Sequence, residues 1–396
     1  MDFWRSPLGK LRMTKRVATR IEQVQDPVIP IVGSLVADHP GTISLGQGIV
    51  HYAPPPNAIH ATQNVYEIHH RYGDVQGTLR LRSLVQEKLR EENQIPADGC
   101  EVVYTAGSNM GFLNAVLAIA DVGDEIIVQS PYYFNHEMAI EIAGCKAVEV
   151  ATTSDYQLDL AALEAAITSR TRALVTISPN NPTGAIYSRE ALTRINQLCR
   201  EREIFHISDE AYEYFTYDGA EHFSPGSLPG AARHTISLFT LSKAYGLAGW
   251  RCGYMVVPDD LLMPVKKIQD TNLVCPPMLN QDVAAAALQA GREWVEPHVR
   301  SLEKVRNAIL EELDGLPGCR VPTPGGAFYV LLQLDTDRGD MELVRELISR
   351  FGIATLPGNT FGVETGCQIR VSYGALEAGS VIEGIGRLKK GLQALL

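Results

Sequence analysis

The stretch TLSKAYGLAGWRCGYMVV, residues 240–257, carries the most informative spacing in the chain. It places Lys243 eight positions before Arg251, with the hydroxyls of Thr240 and Ser242 just upstream of the lysine. Glycines between the lysine and the arginine let the backbone turn close to a bound group. An amine can trap an aldehyde, and a guanidinium with hydroxyls can bind a phosphate. The stretch therefore predicts a covalent aldehyde site beside a phosphate clamp.

A molecule that joins an aldehyde to a phosphate is pyridoxal phosphate, which we predict as the cofactor. A lysine amine bonds to a carbonyl only after it loses its proton, so Lys243 is expected where burial or nearby cations lower its pKa. Taken alone, the lysine and Arg251 are also typical of a solvated turn and a surface charge. Other parts of the chain decide between these interpretations.

An acidic residue suited to such a cofactor follows the apolar run Ile204 to Ile207 in EIFHISDEAYEYF. The run is typical of a buried strand, so Asp209 is expected at its C-terminal end, where ligands bind in open α/β sheets. There its carboxylate would keep the pyridine nitrogen protonated, and the protonated ring is the electron sink. Tyr212 and Asn181 can donate hydrogen bonds to the ring oxygen. Asn181 stands in SPNNPTG, residues 178–184, which by itself is only a turn.

Apolar runs and helical patterns alternate from about residue 101 to residue 257. The runs EVVYT, DEIIVQS, KAVEV, RALVTIS, EIFHIS, HTISLFT and GYMVV predict strands, and helices are predicted at 108–120, 134–144, 158–168 and 188–201. This order predicts an α/β fold with a mostly parallel seven-stranded sheet covered on both faces. No G-x-G-x-x-G follows a strand, so a nicotinamide dinucleotide site has little support.

With these elements in order, the chain resembles the class I aminotransferases, which are pyridoxal-phosphate enzymes of fold type I. The resemblance extends from Leu45-Gly46-Gln47-Gly48 to Arg370, with the motifs in the family's order. Within residues 240–257 the chain departs from the family pattern at two positions. Thr240 stands where Ser or Gly is usual, and Cys252 where an aliphatic residue or alanine is usual. Thr240 keeps a hydroxyl for the phosphate.

The resemblance implies a role for each matching residue. Lys243 resembles the Schiff-base lysine that also carries the proton between substrate and cofactor, and Asp209 resembles the partner of the pyridinium. Tyr133, in SPYYFNHEM, matches the aromatic residue that stacks on the ring. His136 matches a histidine found behind the aspartate in part of the family, although an exposed helical histidine is an equally open interpretation. Tyr72 resembles the tyrosine that reaches the phosphate in the neighbouring subunit, which implies a homodimer.

Two further segments complete the expected site. Gly107, Ser108 and Asn109 open a predicted helix, whose free backbone N–H groups suit a phosphate dianion. Arg370, in CQIRVSYG, matches the arginine that binds the substrate α-carboxylate, and Gly46 matches a glycine whose backbone lies near it. The implied substrates are therefore an amino acid and a 2-oxo acid, with Asn181 also near the substrate.

From about residue 282 the pattern changes to a long helical stretch, then VPTPGGAFYVLLQL, a helix near 340–350, a strand at 367–373 and a last amphipathic helix. We predict a large cofactor-binding domain at 48–285 and a smaller α+β domain formed by 1–47 and 286–396. The segment 326–334 is expected to be a core strand rather than part of the substrate pocket. Arg292 lies outside any recognisable motif and is assigned no role.

Composition limits the other function classes. The 396 residues carry a formal net charge of −11, which argues against nucleic-acid binding. No apolar run reaches the roughly 18 residues that span a bilayer, and seven cysteines without a C-x-x-C pair indicate reduced thiols rather than zinc or disulfides. We expect a cytoplasmic protein. Six basic and no acidic residues between positions 4 and 21 predict an arm that closes over the active site or the partner subunit, rather than a transit segment.

The expected reaction is a ping-pong transfer of an amino group from an L-amino acid to a 2-oxo acid. Broad specificity with aromatic, methionine-like or glutamine-like donors is weakly favoured. The loop containing His51 and Tyr52 either faces the substrate side chain or is structural. The alternatives are an aspartate aminotransferase and a pyridoxal-phosphate-dependent C–S β-lyase, and a non-catalytic regulator that senses the cofactor is disfavoured.

Overall fold

The computed structural model describes residues 17–396. Its strands are β1 (Ile43–Ser44), β2 (Cys100–Thr105), β3 (Glu125–Ser130), β4 (Lys146–Ala151), β5 (Thr171–Ile177), β6 (Phe205–Asp209), β7 (Thr235–Thr240), β8 (Gly253–Pro258), β9 (Cys319–Arg320), β10 (Tyr329–Leu334), β11 (Ile353–Ala354), β12 (Leu356–Pro357) and β13 (Cys367–Ser372). All seven strands predicted between residues 101 and 257 are present, each within about two residues of the predicted bounds.

The α-helices follow the same chain order. They are α1 (Thr19–Gln23), α2 (Val28–Ala37), α3 (Pro56–Ala61), α4 (Leu79–Lys88), α5 (Ser108–Ile119), α6 (Phe134–Ile142), α7 (Leu160–Ala165), α8 (Arg189–Glu201), α9 (Leu262–Leu273), α10 (Met278–Leu313), α11 (Asp340–Phe351) and α12 (Ala378–Leu395). The long α10 is broken at Gly291, which has φ 64° and ψ −171°. None of the helices formed by residues 17–396 combines the length and apolar character needed to cross a bilayer.

The central sheet has seven strands in the order β2-β8-β7-β6-β5-β3-β4. All neighbouring pairs are parallel except the two that involve β8. A parallel sheet must be covered on both faces, and its inner strands are accordingly largely apolar. Phe112 of α5 and Ile140 of α6 pack on one face, while Leu163 of α7 and Ile195 of α8 pack on the other. Full burial of each such side chain contributes about 1.5–3 kcal/mol. Because helices cover both faces of the sheet, the predicted α/β layering is confirmed.

Two smaller sheets surround this core. β1 pairs in parallel with β11, and β12, β13, β10 and β9 form an antiparallel sheet in that order. Residues 43–44 thus pair with residues from the last quarter of the chain. The division into domains at 48–285 and at 1–47 with 286–396 stays a prediction.

A turn in SPNNPTG joins the large sheet to β10. Gly184 has φ +73°, its N–H donates to Asn180 O at 2.9 Å, and its carbonyl accepts from Gly326 N at 2.9 Å. A Cβ there would lie 2.3 Å from the Pro324 Cβ and 2.7 Å from the Tyr329 carbonyl oxygen. The contact excludes any side chain larger than hydrogen at this position.

Replacing this glycine tests the contact. Gly184→Ala is expected to lower the free energy of unfolding by about 2–5 kcal/mol, since a positive φ and an overpacked Cβ both cost energy. Gly219→Ala is the matched control, because Gly219 has φ +76° but no atom within 4 Å of its Cβ position. It should lose only about 1–2 kcal/mol. Urea unfolding followed by circular dichroism measures both, and equal losses would show that the contact is not a constraint.

Candidate active site

A cavity of about 410 Å³ opens at the carboxyl-terminal edge of the central sheet. Five strands deliver side chains to it from their C-terminal ends: β2, β3, β5, β6 and β7. In parallel sheets this edge is where successive loops converge, which explains why distant motifs meet here. The predicted site residues that line the cavity are Ser108, Asn109, Tyr133, Asn181, Asp209, Tyr212, Thr240, Lys243, Arg251 and Arg370.

Lys243 lies in the turn that follows β7, with its Nζ inside the cavity. The amine donates a hydrogen bond to the Gly48 carbonyl oxygen. Burial is the main cause that lowers the pKa of Lys243 to about 8, and the charges of Arg370 and Arg251 lower it as well. The carboxylate of Asp209 acts in the opposite direction. The deprotonated, nucleophilic amine is therefore accessible near neutral pH, as the sequence required.

Asp209 is the last residue of β6 and is buried. One carboxylate oxygen accepts from Ala211 N at 3.0 Å, and the other lies 3.0 Å from His136 Nε2. His136 is also buried, with its ring stacked on Phe112 at 3.9 Å between centroids. The equally open interpretation of His136 as an exposed helical residue is wrong, because α6 turns this face toward the sheet. Asp209 is thereby held as a fixed negative charge at the cavity wall.

The opposite end of the cavity is built for an anion. α5 begins at Ser108 with no side-chain cap on its first-turn amides, and Gly107, at its N-cap, has φ +85°. A Cβ at Gly107 would lie 2.4 Å from Arg251 Nη2, so a side chain there would displace the guanidinium from the helix end. Thr240 Oγ1 donates to Ser242 Oγ at 2.8 Å beside them. Uncapped amides, two hydroxyls and a guanidinium form a cradle that fits a phosphate dianion.

Arg251 adopts the left-handed region, with φ 54° and ψ 54°. That conformation costs a non-glycine residue about 1–2 kcal/mol and is most often found at functional positions. The guanidinium donates to the carbonyls of Ala248 at 2.9 Å and Ala106 at 3.3 Å. These two bonds aim it at the helix end, and no carboxylate among residues 17–396 forms an ion pair with it.

Arg370 is a buried cation at the base of the cavity. Its Nη1 donates to Asn181 Oδ1 at 2.8 Å and its Nη2 donates to the Gly46 carbonyl oxygen at 2.7 Å. Its Nε is buried without a hydrogen-bond partner, and no carboxylate within the described residues pairs with it. Burial lowers the pKa of this guanidinium. A buried arginine without a counter-ion is suited to a carboxylate that arrives with a ligand.

Tyrosines complete the site. Tyr133 accepts a hydrogen bond from Asn135 Nδ2 at 2.7 Å, and burial raises its pKa. Tyr212 Oη lies 2.7 Å from Tyr329 Oη, and Asn181 Nδ2 donates to Tyr212 at 3.5 Å. Burial raises the pKa of Tyr212 well above 10, so its hydroxyl keeps its proton and can donate.

Some predicted residues do not meet at this cavity. Tyr72 is 85 % exposed and lies away from it, beside Cys275 and Met278. Tyr52 does not face the cavity, since its hydroxyl donates to the main-chain carbonyl of Lys243 at 3.0 Å and its ring stacks on His298 at 3.8 Å. The structural interpretation of this loop is thus the one that the contacts support.

Other expectations concern charged and N-terminal residues. His51 bonds to the Gly374 carbonyl oxygen at 3.2 Å and does not line the cavity. Arg292 pairs with Glu296 on the surface of α10, in keeping with the absence of an assigned role. Most of the basic arm predicted at residues 4–21 lies outside the described residues.

Among the cavity-lining residues that sequence reasoning missed are Pro27, Ile29 and Tyr329. The segment 326–334 does form a buried strand from Tyr329, as predicted, but its first residue also faces the cavity. One signal could have indicated that Tyr329 lies at the site. It begins β10, and β10 pairs with β13, the strand that carries Arg370. Pro27 and Ile29 have no such signal, because they lie at the start of an apolar helix that is distant in sequence from every motif.

Comparison with known proteins agrees with this geometry. Residues 40–388 match the family described as aminotransferase class I and II. The aromatic aminotransferase ISS1 of Arabidopsis thaliana is 33 % identical, with 93 % of this chain and 94 % of that protein covered. A probable aspartate/prephenate aminotransferase of Aquifex aeolicus is 34 % identical over 82 % of this chain and 84 % of its own length.

A solved structure shares the fold as well. The aromatic aminotransferase of Pyrococcus horikoshii superimposes with a TM-score of 0.84 at 31 % identity, over 92 % of this chain and 99 % of that one. The family match covers most of the chain, so the predicted resemblance is confirmed. The chain belongs to the class I and II aminotransferases of fold type I, and its activity is amino-group transfer.

Proposed function

We propose that this aminotransferase holds pyridoxal phosphate in the 410 Å³ cavity and uses it to move an amino group from a neutral L-amino acid to a 2-oxo acid. The observation that carries the proposal is Lys243, whose amine lies in the cavity with its pKa lowered to about 8. The cradle of α5 amides, Thr240, Ser242 and Arg251 supports it by fitting a phosphate.

The chemistry that pyridoxal phosphate supplies when bound is an aldehyde that captures amines and a protonated ring that accepts electron density from the substrate Cα. Asp209 holds a negative charge at the position suited to the ring nitrogen, and its bond to His136 fixes the carboxylate. Tyr212 and Asn181 would donate to the ring oxygen, and Tyr133 would pack against the ring face. Ser108 and Asn109 present their amides to the phosphate.

Lys243 performs the proton transfers. With a substrate in the cavity, Nζ would act as the base that removes the Cα proton and as the acid that returns it. The same two roles would serve both halves of the reaction, in which one amino acid becomes a 2-oxo acid and a second 2-oxo acid becomes an amino acid. Arg370 binds the α-carboxylate in both halves of the reaction, with Gly46 and Asn181 orienting the guanidinium.

The cations around the cavity favour a neutral donor side chain. Within the described residues, the cavity lining holds three cationic side chains, those of Lys243, Arg251 and Arg370. In the proposed function they act on the substrate amine, the phosphate and the α-carboxylate, respectively. None of the three is left for a second carboxylate. Pro27, Ile29 and Ile49 offer apolar surface instead. This favours aromatic or methionine-like donors over aspartate.

We further propose a homodimer in which Tyr72 reaches the phosphate of the neighbouring subunit. Large exposed apolar side chains are concentrated between residues 65 and 79, at Val65, Tyr66, Ile68, Tyr72 and Leu79, with exposures of 53–85 %. A concentration of this kind is typical of a surface that another chain covers.

The first prediction concerns the cofactor and donor. Purified protein should show a yellow absorption band that bleaches with phenylalanine or methionine and returns with a 2-oxo acid. Phenylalanine should exceed aspartate in kcat/KM by at least about tenfold, because an unpaired carboxylate in an apolar pocket is costly. Lys243→Ala should lower kcat by about 10²–10⁴-fold or more. Aspartate as the better donor would contradict the donor proposal, and ammonia release without a 2-oxo acid would favour elimination.

The second prediction concerns the charge environment of Lys243. In cofactor-free protein the rate of condensation with salicylaldehyde, localised to Lys243 by borohydride trapping and mass spectrometry, should rise with a midpoint near pH 8. The amine loses its proton above that pH, so the rate rises rather than falls. Arg370→Met removes a neighbouring cation and should move the midpoint up toward the ordinary value of 10.5. Arg338→Met, in a remote surface ion pair with Glu346, is the control and should leave it unchanged.

The third prediction concerns the dimer. Tyr72→Ala and Lys243→Ala subunits, each defective alone, should recover one complete site when mixed, because the mixed dimer unites the intact Lys243 of one subunit with the intact Tyr72 of the other. Mixed dimers isolated by two affinity tags are assayed at limiting cofactor. A mixed dimer no more active than its parents would place Tyr72 in its own subunit's site, and a monomer by light scattering would remove the proposal.

A further inference from the structure

Tyr329 links two parts of the active site that no single motif joins. It begins β10, is fully buried and lines the cavity. Its hydroxyl oxygen lies 2.7 Å from that of Tyr212, and its ring centroid lies 4.6 Å from the guanidinium carbon of Arg370. One side chain therefore contacts both a residue assigned to the cofactor and the residue assigned to the substrate carboxylate.

The strand register explains this placement. β10 pairs antiparallel with β13, so that Leu331 lies opposite Arg370. Residues two apart on a strand share a face, which makes Tyr329 a diagonal neighbour of Arg370. Phe361 covers the guanidinium as well, with its ring centroid 5.0 Å from the guanidinium carbon.

Gly48 leaves the space that the hydroxyl of Tyr329 needs. A Cβ at Gly48 would lie 2.6 Å from Tyr329 Oη. The carbonyl of the same glycine accepts the hydrogen bond from Lys243. The phenol is therefore wedged between the loop that contacts Lys243 and the hydroxyl of Tyr212, with little freedom to move.

The direction of the hydrogen bond between the tyrosines follows from the number of protons. Tyr212 has a single hydroxyl proton, and in the proposed function that proton goes to the ring oxygen of the cofactor. The oxygen of Tyr212 must then accept the proton of Tyr329. A donor that itself receives a hydrogen bond is polarised and donates more strongly. Tyr329 would thus strengthen the bond between Tyr212 and the ring oxygen.

We propose that Tyr329 is a positioning residue that acts through two neighbours, donating its hydroxyl proton to Tyr212 and holding the guanidinium of Arg370 against its ring. This inference rests on the proposed function, since it concerns how the chain presents Tyr212 to the cofactor and Arg370 to the substrate carboxylate. On this inference, strand β10 rather than a loop sets the distance between the hydroxyl of Tyr212 and the guanidinium of Arg370.

The charged and titratable groups around Tyr329 are few. Arg370, Tyr212 and Tyr133 face it from β13, from the turn after β6 and from the start of α6. Burial raises the pKa of Tyr329 to about 12, so it remains a protonated donor throughout a titration between pH 6 and pH 10. Around Lys243 the charges are those of Arg370, Arg251 and Asp209. Replacing Tyr329 by phenylalanine removes none of these charges.

The hydroxyl is tested by Tyr329→Phe in the holoenzyme, with the pH midpoint of its visible absorption band as the readout. A weaker bond from Tyr212 stabilises the anionic ring oxygen less, so the chromophore keeps its proton to higher pH. The midpoint should rise by about half to one pH unit. Tyr156→Phe is the matched control, because Tyr156 is buried and donates to Gln368 Oε1 at 2.8 Å outside the cavity. It should leave the midpoint where it is.

The ring is tested by Tyr329→Leu, with the dissociation constant of 3-phenylpropanoate as the readout. This monocarboxylate has no amine and reports on Arg370 alone. Loss of the aromatic face should weaken its binding by about 3–10-fold, while Tyr329→Phe, which keeps the ring, should stay within about twofold. Thermal unfolding of each variant establishes that it is folded before binding is measured.

The outcomes separate this inference from the proposed function. Without a visible band after reconstitution of the wild-type protein, the proposed function itself fails. With a band present, an unchanged midpoint in Tyr329→Phe overturns the action on Tyr212, and unchanged binding in a folded Tyr329→Leu overturns the action on Arg370. If Tyr329→Leu does not fold, the Tyr329→Phe titration still decides the first of these.

Discussion

A buried guanidinium without a carboxylate partner is the constraint on which the site depends. Arg370 is held by the carbonyl of Gly46, the amide of Asn181 and two aromatic rings, none of which cancels its charge. Leaving a cation in this state costs free energy, since its hydration is lost without an opposite charge in return. The same uncompensated charge helps to lower the pKa of Lys243. On the proposed assignment, the buried guanidinium of Arg370 thus both binds the substrate carboxylate and helps to make the amine of Lys243 nucleophilic.

The placement itself depends on two sheets that meet at the cavity. The parallel sheet delivers Asp209 and Thr240 at the ends of adjacent strands β6 and β7, where the register pairs Asp209 with Leu238, two residues before Thr240. Arg370 comes instead from the antiparallel sheet, and Gly46 from the segment that follows β1. The turn at Gly184 joins the two systems through its contact with Gly326. The geometry of the site therefore depends on how the parallel and the antiparallel sheet pack against each other.

Residues that follow strands were predictable from the sequence, and residues that reach the site by packing were not. Asp209, Asn181 and the Gly107 turn each follow an apolar run, and parallel topology then requires them to share an edge. Ile29 lies in α2 and Pro27 immediately precedes it, and the position of this helix depends on tertiary packing. Tyr329 was interpreted as core because burial statistics do not distinguish a side chain packed on other side chains from one that borders a cavity. The interpretation of His136 stayed open for a similar reason, since only the orientation of α6 decides it.

The charge balance of the cavity runs opposite to that of the chain. The whole protein carries a formal net charge of −11, yet Lys243, Arg251 and Arg370 face a single carboxylate, that of Asp209, among the residues that line the cavity. Three cations confined with one anion repel one another, and in the proposed function a phosphate and a carboxylate would supply the missing negative charge. Binding to the folded state alone raises its stability in proportion to the logarithm of ligand concentration. On the proposed assignment, binding of these anionic groups would thus stabilise the folded protein. The excess of positive charge that favours them also helps to lower the pKa of Lys243.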